Sequence, residues 1–225
     1  MVSVCTYDKD GNEISHTEYW DGIIPFCTEY QYQNLDQITP TVVPVSDIFT
    51  DVPEKAWYTP YVQYAYDNDL MSGVGLVSFA PATKLTRAQV VQILYNQAGR
   101  PTVTGAAKFS DVKSGSWYYN AVQWAAQNKI VSGVGNGKFA PDQNVTREQL
   151  AVVLYNREKN PAVSGVFTGF ADSAKVSGWA KKAMLWATQN NIICGSKENK
   201  KMYLNPQGNA TRAEAATMMM KYLKK

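Results

Sequence analysis

The sequence predicts a mostly α-helical fold made of three copies of one helix–loop–helix unit. Three observations lead to this prediction. A segment that opens with Phe49 recurs sixty positions later without a gap, and a third copy follows with small insertions. Each copy holds two runs of apolar residues at helical spacing, separated by a loop rich in turn-forming residues. The second run of each copy begins with the signature of a helix capping box.

The first 45 residues belong to no repeat. Residues 2–8 and 14–20 favour β-strands, and the turn formers at 9–12 predict a hairpin between them. Residues 39–45 predict an extended linker. We therefore expect 1–45 to be an acidic hairpin-like segment, either the end of an upstream domain or a segment that packs on the repeats. Its first residues lack a basic start followed by an apolar run, so no signal peptide is expected there.

The repeats are predicted at 46–104, 105–165 and 166–225. Residues recurring between the first two copies are Asp51 and Asp111, Trp57 and Trp117, Gly73 and Gly133, Pro81 and Pro141, and Arg87 and Arg147. The third copy matches them with Trp179, Pro206 and Arg212, and it has three extra residues in the loop that follows Gly195. A unit that recurs in this way is one supersecondary element, stacked on its neighbours.

The first helix of each unit is predicted to begin at about Trp57, Trp117 or Trp179. Its inward stripe in the second copy has the spacing of a helix and contains Trp117, Ala121, Trp124, Ala125 and Asn128. Trp124 and its counterpart Trp186 are therefore expected in the core. Gly73 and Gly133 end this helix, and short β elements are expected in the loop that follows.

The second helix is predicted to begin at a threonine cap. The capping boxes are Thr86 to Gln89, Thr146 to Gln149 and Thr211 to Glu214. Apolar residues follow each box at helical spacing: Val90, Ile93, Leu94; Leu150, Val153, Leu154; and Ala215, Met218, Met219, Tyr222. Three such helices, one from each repeat, are expected to bury their stripes against each other as a central three-helix bundle.

At these residues the chain resembles the S-layer homology family. The marks are the F-x-D-V opening, the tryptophan a few residues on, the F-x-P before the second helix, and the T-R-A-E box. They occur in order three times and cover residues 49–225. The resemblance implies a pseudo-threefold arrangement of the repeats. It also implies grooves between repeats that bind secondary cell-wall polymers, often carrying pyruvylated amino sugars.

The resemblance further implies which residues meet the glycan. The arginines of the boxes would contact the acidic ketal or another anionic sugar group: Arg87, Arg147 and Arg212. Other residues would stand at or line the grooves: Asp51, Asp111, Trp57, Trp117, Gly75 and Gly135. The third copy departs from the family pattern, with Ser173 in place of the valine of F-x-D-V and Ser196-Lys197-Glu198 after Gly195. The acid of the box is Gln89 and Gln149 in the first two copies.

Each residue type also has a structural interpretation, which the sequence leaves open. An arginine at the first position of a helix opposes the helix dipole, so its presence three times indicates either anion binding or an ion pair with an aspartate of a neighbouring repeat. Trp57 and Trp117 are either partly buried anchors or surfaces for sugar stacking. Asp51 either braces a turn or contacts sugar, and Gly75 either supplies a positive φ or lines the groove.

Charge separates the chain into two parts. Residues 1–48 contain eight acids and one base, a net charge of −7, so the remainder carries +10. A basic body suggests an anionic partner, and charge alone does not separate nucleic acid from acidic glycan. The basic residues are scattered, and no nucleic-acid-binding motif is present, so we expect no nucleic-acid partner.

Enzyme classes find little support. There is no G-x-S-x-G motif, no P-loop and one histidine, His16, so we expect no catalytic residue, cofactor or metal site. A carboxylate pair for glycoside hydrolysis is not excluded, since its members can be far apart in the chain. No run of 18 apolar residues is present, so no membrane span is expected. Cys5 and Cys27 are candidates for a disulfide, and Cys194, after Ile192 and Ile193, is expected to be a small buried hydrophobic residue.

The sequence thus predicts a non-catalytic, extracellular module that anchors a larger surface protein to the cell wall. Its partner would be an anionic wall glycan, bound non-covalently, and the module would be monomeric. The alternative is a repeat scaffold that mediates protein–protein contacts at the cell surface without binding glycan.

Overall fold

The computed structural model describes residues 2–7, 13–19, 43–105 and 108–225. The chain forms two compact units, Met1–Val42 and Val43–Lys225. In the first unit, β1 (Val2–Tyr7) pairs antiparallel with β2 (Glu13–Tyr19), so the predicted hairpin is confirmed. The tip of the hairpin, most of the predicted linker and Cys27 lie outside the described residues, and with them the proposed disulfide.

The second unit is mostly helical. Among the described residues there are seven α-helices, which begin and end as follows: α1 (Val45–Ile48), α2 (Thr59–Asp67), α3 (Arg87–Gln97), α4 (Tyr119–Gln127), α5 (Arg147–Arg157), α6 (Lys181–Gln189) and α7 (Arg212–Leu223). Two short 3₁₀ turns, Ser173–Lys175 and Gly178–Ala180, precede α6. Each repeat thus has the predicted pair of helices, and α1 precedes the first pair. None of the described helices has the length and apolar character needed to cross a membrane.

The first helices begin two residues later than the sequence predicts, and this changes the role of one tryptophan. Ala121, Trp124 and Ala125 of α4 are buried as expected. Trp117 lies before the first turn of α4, where helical spacing no longer fixes the direction of a side chain, and it is 61% exposed. The placement of Trp117 on the inward stripe was therefore wrong, as was that of Asn128, which follows the last helical residue and is exposed.

The second helices begin at the predicted capping boxes. The hydroxyl of Thr146 accepts from the Gln149 amide, and the Gln149 side chain accepts from the Thr146 amide at 2.9 Å. The boxes at Thr86 and Thr211 make the same reciprocal pair. These bonds satisfy donors that the start of a helix otherwise leaves unpaired, so they fix where each second helix begins.

Backbone hydrogen bonds just before the second helices join the three repeats in a closed cycle. The Leu85 amide donates to the Ala210 carbonyl, the Ala210 amide to the Val145 carbonyl, and the Val145 amide to the Leu85 carbonyl, at 2.8–2.9 Å. These three residues are equivalent, since each stands two residues before the arginine of its box, and all three are buried. Each repeat therefore contacts both of the others at this point.

Helix packing differs from the predicted central bundle. The main partner of each second helix is the first helix of the next repeat: α3 packs on α4, α5 on α6, and α7 on α2. Large aromatic side chains explain this preference, because Trp124 of α4 lies 5.7 Å from the Tyr95 ring and Trp186 of α6 lies 5.6 Å from the Tyr155 ring. The apolar stripes of the second helices are thus buried mainly across the boundary between repeats, rather than against each other.

The loop between the two helices is held by a buried phenylalanine and carries the predicted β elements. Phe79 and Phe139 are fully buried in the first two repeats. In the third repeat the extra residues form a small antiparallel hairpin, β3 (Ser196–Glu198) and β4 (Lys201–Tyr203). At the equivalent place the second repeat has an isolated β-bridge between Gly135 and Lys138.

Cys194 is exposed, so the expectation that it is buried was wrong. Ile192 and Ile193 before it are buried, and the chain leaves the core after them. Cys194 occupies the position of Ser72 and Ser132 in the other repeats, which are also exposed. Position in the repeat, rather than the apolar character of the preceding residues, sets its exposure.

Candidate ligand-binding grooves

Three grooves open on the second unit, and they are built in the same way. Each contains the arginine of one box, the loop and second helix of the next repeat, and the tryptophan of the remaining repeat. The Arg87 groove is completed by Trp179, the Arg147 groove by Trp57, and the Arg212 groove by Trp117. Their volumes are about 270, 360 and 260 Å³. Small-molecule pockets commonly measure roughly 300–1,000 Å³, so each groove has room for a small group.

Arg87 and Arg212 are held by the loop of the next repeat. Arg87 donates from Nε to the Phe139 carbonyl and from Nη2 to the Ser132 carbonyl, both at 2.8 Å. Its guanidinium lies 4.5 Å from the centre of the Phe139 ring. Arg212 makes the same three contacts with Phe79 and Ser72 in the first repeat. These arginines therefore join neighbouring repeats as well as line grooves.

The charge of these two arginines is retained. Burial lowers the pKa of Arg87, and the nearby carboxylate of Asp111 partly offsets that effect. The pKa of Arg212 is lowered by burial in the same way and raised in part by Asp51. An arginine begins from so high a pKa that it stays protonated in proteins. Each of the two grooves thus presents a positive charge whose hydrogen-bonded partners are neutral carbonyls.

Arg147 differs from the other two. Its Nε donates to the Leu204 carbonyl at 2.8 Å, but its Nη1 lies 2.6 Å from Oε1 of Glu214 and forms an ion pair. Leu204 stands where the other repeats have a phenylalanine, so no aromatic ring faces this guanidinium from that position. The interpretation of the box arginine as an ion-pair partner thus holds for Arg147, with a glutamate rather than an aspartate.

The three tryptophans that precede the first helices are exposed. Trp57, Trp117 and Trp179 are each 61% exposed, and each contributes to one groove. The Trp57 and Trp117 rings meet the neighbouring Tyr58 and Tyr118 rings edge to face. The structure thus favours a surface role for Trp57 and Trp117 over a buried anchor, because a buried anchor would not leave most of the ring in solvent.

Asp51 and Asp111 brace the loops with their carboxylates. The Asp51 oxygens accept from the Phe79 and Ala80 amides and from the Ser78 hydroxyl, at 2.7–2.8 Å. Asp111 accepts from the equivalent Phe139 and Ala140 amides at 2.8 Å. Neither aspartate lines one of the three grooves. The predicted contact of Asp51 and Asp111 with sugar therefore stays a prediction, beside a bracing role that the contacts show.

The pKa values of these aspartates follow from the same contacts. Burial raises the pKa of Asp51. The hydrogen bonds from the Ser78 hydroxyl and from the amides of Phe79 and Ala80 together lower it by more, so the pKa lies below its ordinary value. Burial likewise raises the pKa of Asp111, while the Phe139 and Ala140 amides and the charge of Lys138 lower it more.

Gly75 and Gly135 lie at the exposed end of the loop, outside the three grooves. Gly135 has a φ of +108°, as its positive-φ interpretation requires, whereas Gly75 has no positive φ, so that interpretation was wrong for Gly75. The glycines that line grooves are Gly73, Gly133 and Gly195. At Gly133 an added Cβ would lie 2.5 Å from the Lys138 carbonyl oxygen, so the loop closes tightly only over glycine.

Sequence reasoning missed two contributors to the grooves. Trp179 was left out of the site although it is the third copy of Trp57 and Trp117, and the repeat alone was enough to find it. The last residue of each capping box, Gln89, Gln149 or Glu214, also lines a groove. Its role there follows from the packing of one repeat on the next, which the sequence does not show. Within the described residues, no cluster of three His, Cys, Asp or Glu side chains could hold a metal ion.

Comparisons with known proteins agree with the repeat structure. The sequence model of the S-layer homology domain matches residues 48–91, 108–151 and 169–216. Among curated proteins, the Surface-layer 125 kDa protein of Lysinibacillus sphaericus is 33% identical over 70% of this chain and 13% of its own length. An endoglucanase of Bacillus sp. strain KSM-635 is 29% identical over 76% of this chain and 18% of its own. The S-layer protein sap of Bacillus anthracis is 25% identical over 77% of this chain and 21% of its own.

These relatives share one region with this chain and are otherwise much longer. The matched region spans about a tenth to a fifth of each relative. Surface-layer proteins, an endoglucanase and an amylopullulanase all carry it, so what they have in common is this region. With three matches that together cover more than half of the sequence, the chain belongs to the S-layer homology domain family.

Proposed function

We propose that residues 43–225 are a non-catalytic module that anchors a surface protein to the cell wall by binding an anionic wall glycan. The observation that carries this proposal is the threefold recurrence of one groove, with an arginine, an exposed tryptophan and an apolar floor. Arginine gives charge-assisted hydrogen bonds to a carboxylate, and an exposed tryptophan offers an apolar face and an N–H to a sugar ring. The ligand-contacting residues would be Arg87, Arg147, Arg212, Trp57, Trp117 and Trp179.

The closed cycle of contacts supports a pseudo-threefold arrangement of the repeats as part of this proposal. Equivalent residues link repeat one to two, two to three, and three to one. Such an arrangement would present three grooves to one repetitive polymer. Several weak contacts to the same chain raise the overall affinity without a strong single site.

The recurrence of this region in surface-layer proteins and in enzymes that act on polysaccharides supports a location at the cell surface. The rival function is a scaffold for protein–protein contacts there. The exposed loop tip of the first repeat favours it to a small extent, since Leu76 is 96% exposed beside the half-exposed Val74 and Val77.

A sedimentation assay with purified cell walls tests the proposal. Walls are used before and after chemical removal of the polymers attached to peptidoglycan. We expect the protein to bind the first and not the second, and to bind less as salt is raised, because salt screens exposed charges. Binding that is indifferent to polymer removal would point to peptidoglycan, and no binding to any wall would favour the protein scaffold.

A double variant, Trp117→Ala with Trp179→Ala, locates the binding surface. Both side chains are exposed, so their removal should leave the fold intact while weakening wall binding. Leu76→Ala is the matched control, because it also removes an exposed apolar side chain but lies outside the three grooves. An equal loss of wall binding in the control and in the double variant would argue against the grooves as the binding surface.

A further inference from the structure

The three grooves differ in a residue that stands close to the groove arginine, the last residue of the capping box in the second helix. This residue is Gln149 in the Arg87 groove, Gln89 in the Arg212 groove and Glu214 in the Arg147 groove. In all three boxes its side-chain oxygen accepts from the amide of the capping threonine at 2.9 Å. The difference is therefore not required for the cap, which glutamine and glutamate serve equally well.

Glu214 directs its second oxygen at the groove arginine. Its Oε1 lies 2.6 Å from Nη1 of Arg147, and its Oε2 holds the Thr211 amide. The side chains of Arg147 and Glu214 are only 11% and 27% exposed, so water screens this pair little. The carboxylate is thus fixed from two sides and cannot turn away without breaking the cap.

The guanidiniums of Arg87 and Arg212 form no ion pair of this kind, although the charges of Asp111 and Asp51 partly offset the effect of burial on their pKa values. Among the described residues the ion pairs are Arg147 with Glu214 and Lys225 with Glu158. Arg212 is nevertheless only 6% exposed. A largely buried cation that faces neutral carbonyls gains more from an anionic ligand than one that already has a carboxylate beside it.

We infer that the Arg87 and Arg212 grooves bind the anionic sugar, and that the Arg147 groove binds it more weakly because Glu214 already occupies its arginine. This inference rests on the proposed function and specifies which of its sites work. A ligand carboxylate entering the Arg147 groove must displace Glu214 or share the guanidinium with it, and two carboxylates at one guanidinium repel each other.

Lys221 also lines the Arg147 groove and adds a positive charge there. Its Nζ donates to Sγ of Cys194 at 3.0 Å. Counting Arg147, Glu214 and Lys221, the groove lining carries one net positive charge, as do the other two. The difference therefore lies in the guanidinium being occupied, and not in the sum of the charges.

Each groove contains its own tryptophan, so the indole N–H signals of the ¹⁵N NMR spectrum report on the grooves separately. Trp179 reports on the Arg87 groove, Trp117 on the Arg212 groove and Trp57 on the Arg147 groove. The probe is the methyl glycoside of a 4,6-pyruvylated N-acetylhexosamine, titrated into the full chain. We expect the indole signals of Trp117 and Trp179 to shift first, and that of Trp57 only at a roughly tenfold higher concentration of the glycoside. This difference in affinity is the one expected when a ligand must displace a partly buried ion pair.

Two reciprocal variants test whether the residue at the end of the capping box causes the difference in affinity between the grooves. Glu214→Gln gives the third box the residue of the other two, and we expect Trp57 to respond at the same concentration as Trp117. Gln149→Glu does the reverse, and we expect the Trp179 response to weaken roughly tenfold while Trp117 is unchanged. Both changes keep the cap oxygen, so a melting curve close to that of the unmodified protein checks that each variant folds.

The outcomes separate the two proposals. Equal response of all three tryptophans in the unmodified protein, or an unchanged Trp179 response in Gln149→Glu, overturns this inference while wall anchoring stands. No response of any groove tryptophan, together with no binding to walls, overturns both.

Discussion

At the scale of single residues, an aspartate at the same position of each repeat holds the loop of that repeat in place. Asp51, Asp111 and Asp172 each accept from two successive backbone amides that lie about thirty residues further along the chain. A carboxylate that accepts from two amides in this way fixes the end of the loop. These aspartates are thus bracing residues.

Asp172→Ala should destabilise the second unit by about 2–4 kcal/mol, because it leaves the Leu204 and Asn205 amides without their charged acceptor. Asp172 is 6% exposed, so water cannot replace the carboxylate freely. Urea denaturation followed by circular dichroism measures the change. The control is Asp142→Ala at an exposed aspartate, and a similar small effect in both variants would contradict the bracing role.

Stability should fall at acidic pH. The pKa values of Asp51 and Asp111 are lower in the folded protein than in the unfolded chain. Their contribution is therefore complete above the unfolded value of about 4 and is lost as the pH falls through the lower folded values. We expect a melting temperature that changes little above pH 5 and drops below pH 4. Asp111→Asn should make this drop shallower, and an identical drop would assign it to other groups.

At the scale of elements, the start of each second helix has a local role in capping and a tertiary role in contacting the next repeat. The capping box fixes the first turn, and the arginine within it contacts the next repeat. Because both depend on where the helix begins, a change in the cap should be felt in the neighbouring loop as well as in the helix. The boxes are therefore where local and tertiary structure are joined.

Thr146→Ala should cost about 1 kcal/mol of folding free energy, the usual effect of losing a side-chain cap. The hydroxyl that pairs the Gln149 amide is removed, while the rest of α5 is unchanged. Thr146→Ser keeps the hydroxyl and should retain most of the stability. Urea denaturation compares the two, and an equal loss in both would show that the threonine methyl, rather than the cap, is what matters.

Glu148 should position Trp179. This glutamate of α5 is 3% exposed, and its two oxygens accept from the amide and the hydroxyl of Ser177, in the turn that carries Trp179. The other boxes have Ala88 and Ala213 here. We expect Glu148→Ala to weaken ligand binding in the Arg87 groove several-fold, by releasing this turn, and to leave the Arg212 groove unchanged. Indole N–H titrations of Trp179 and Trp117 measure both, and parallel weakening would indicate a general loss of structure.

At the scale of the whole molecule, the repeats depend on one another. Each second helix packs on the first helix of the next repeat, and α7 closes the cycle by packing on α2. Arg212 reaches back to Ser72 and Phe79, about 130–140 residues away in sequence. A fold closed in this way has no repeat that can be removed from an end without exposing the core of another.

Removal of the third repeat should therefore unfold the other two. A chain that ends at residue 165 loses α6 and α7, the partners of α5 and α2. We expect it to show no cooperative thermal transition, whereas the full chain melts in one transition within the second unit. The measurement is circular dichroism at 222 nm. A cooperative transition of the shortened chain near the original melting temperature would mean that two repeats are enough.

The sequence by itself determined the repeat, the helix pairs and the capping boxes. These depend on residues close together in the chain, and helical spacing and caps are local. Only the tertiary structure decided that Trp117 faces solvent, that the aspartates hold backbone amides, and that each second helix packs on the next repeat. It also decided that Glu214 forms an ion pair with Arg147. The physical reason is that each of these contacts joins residues that are distant in sequence, so their partners are fixed by how the repeats close on one another.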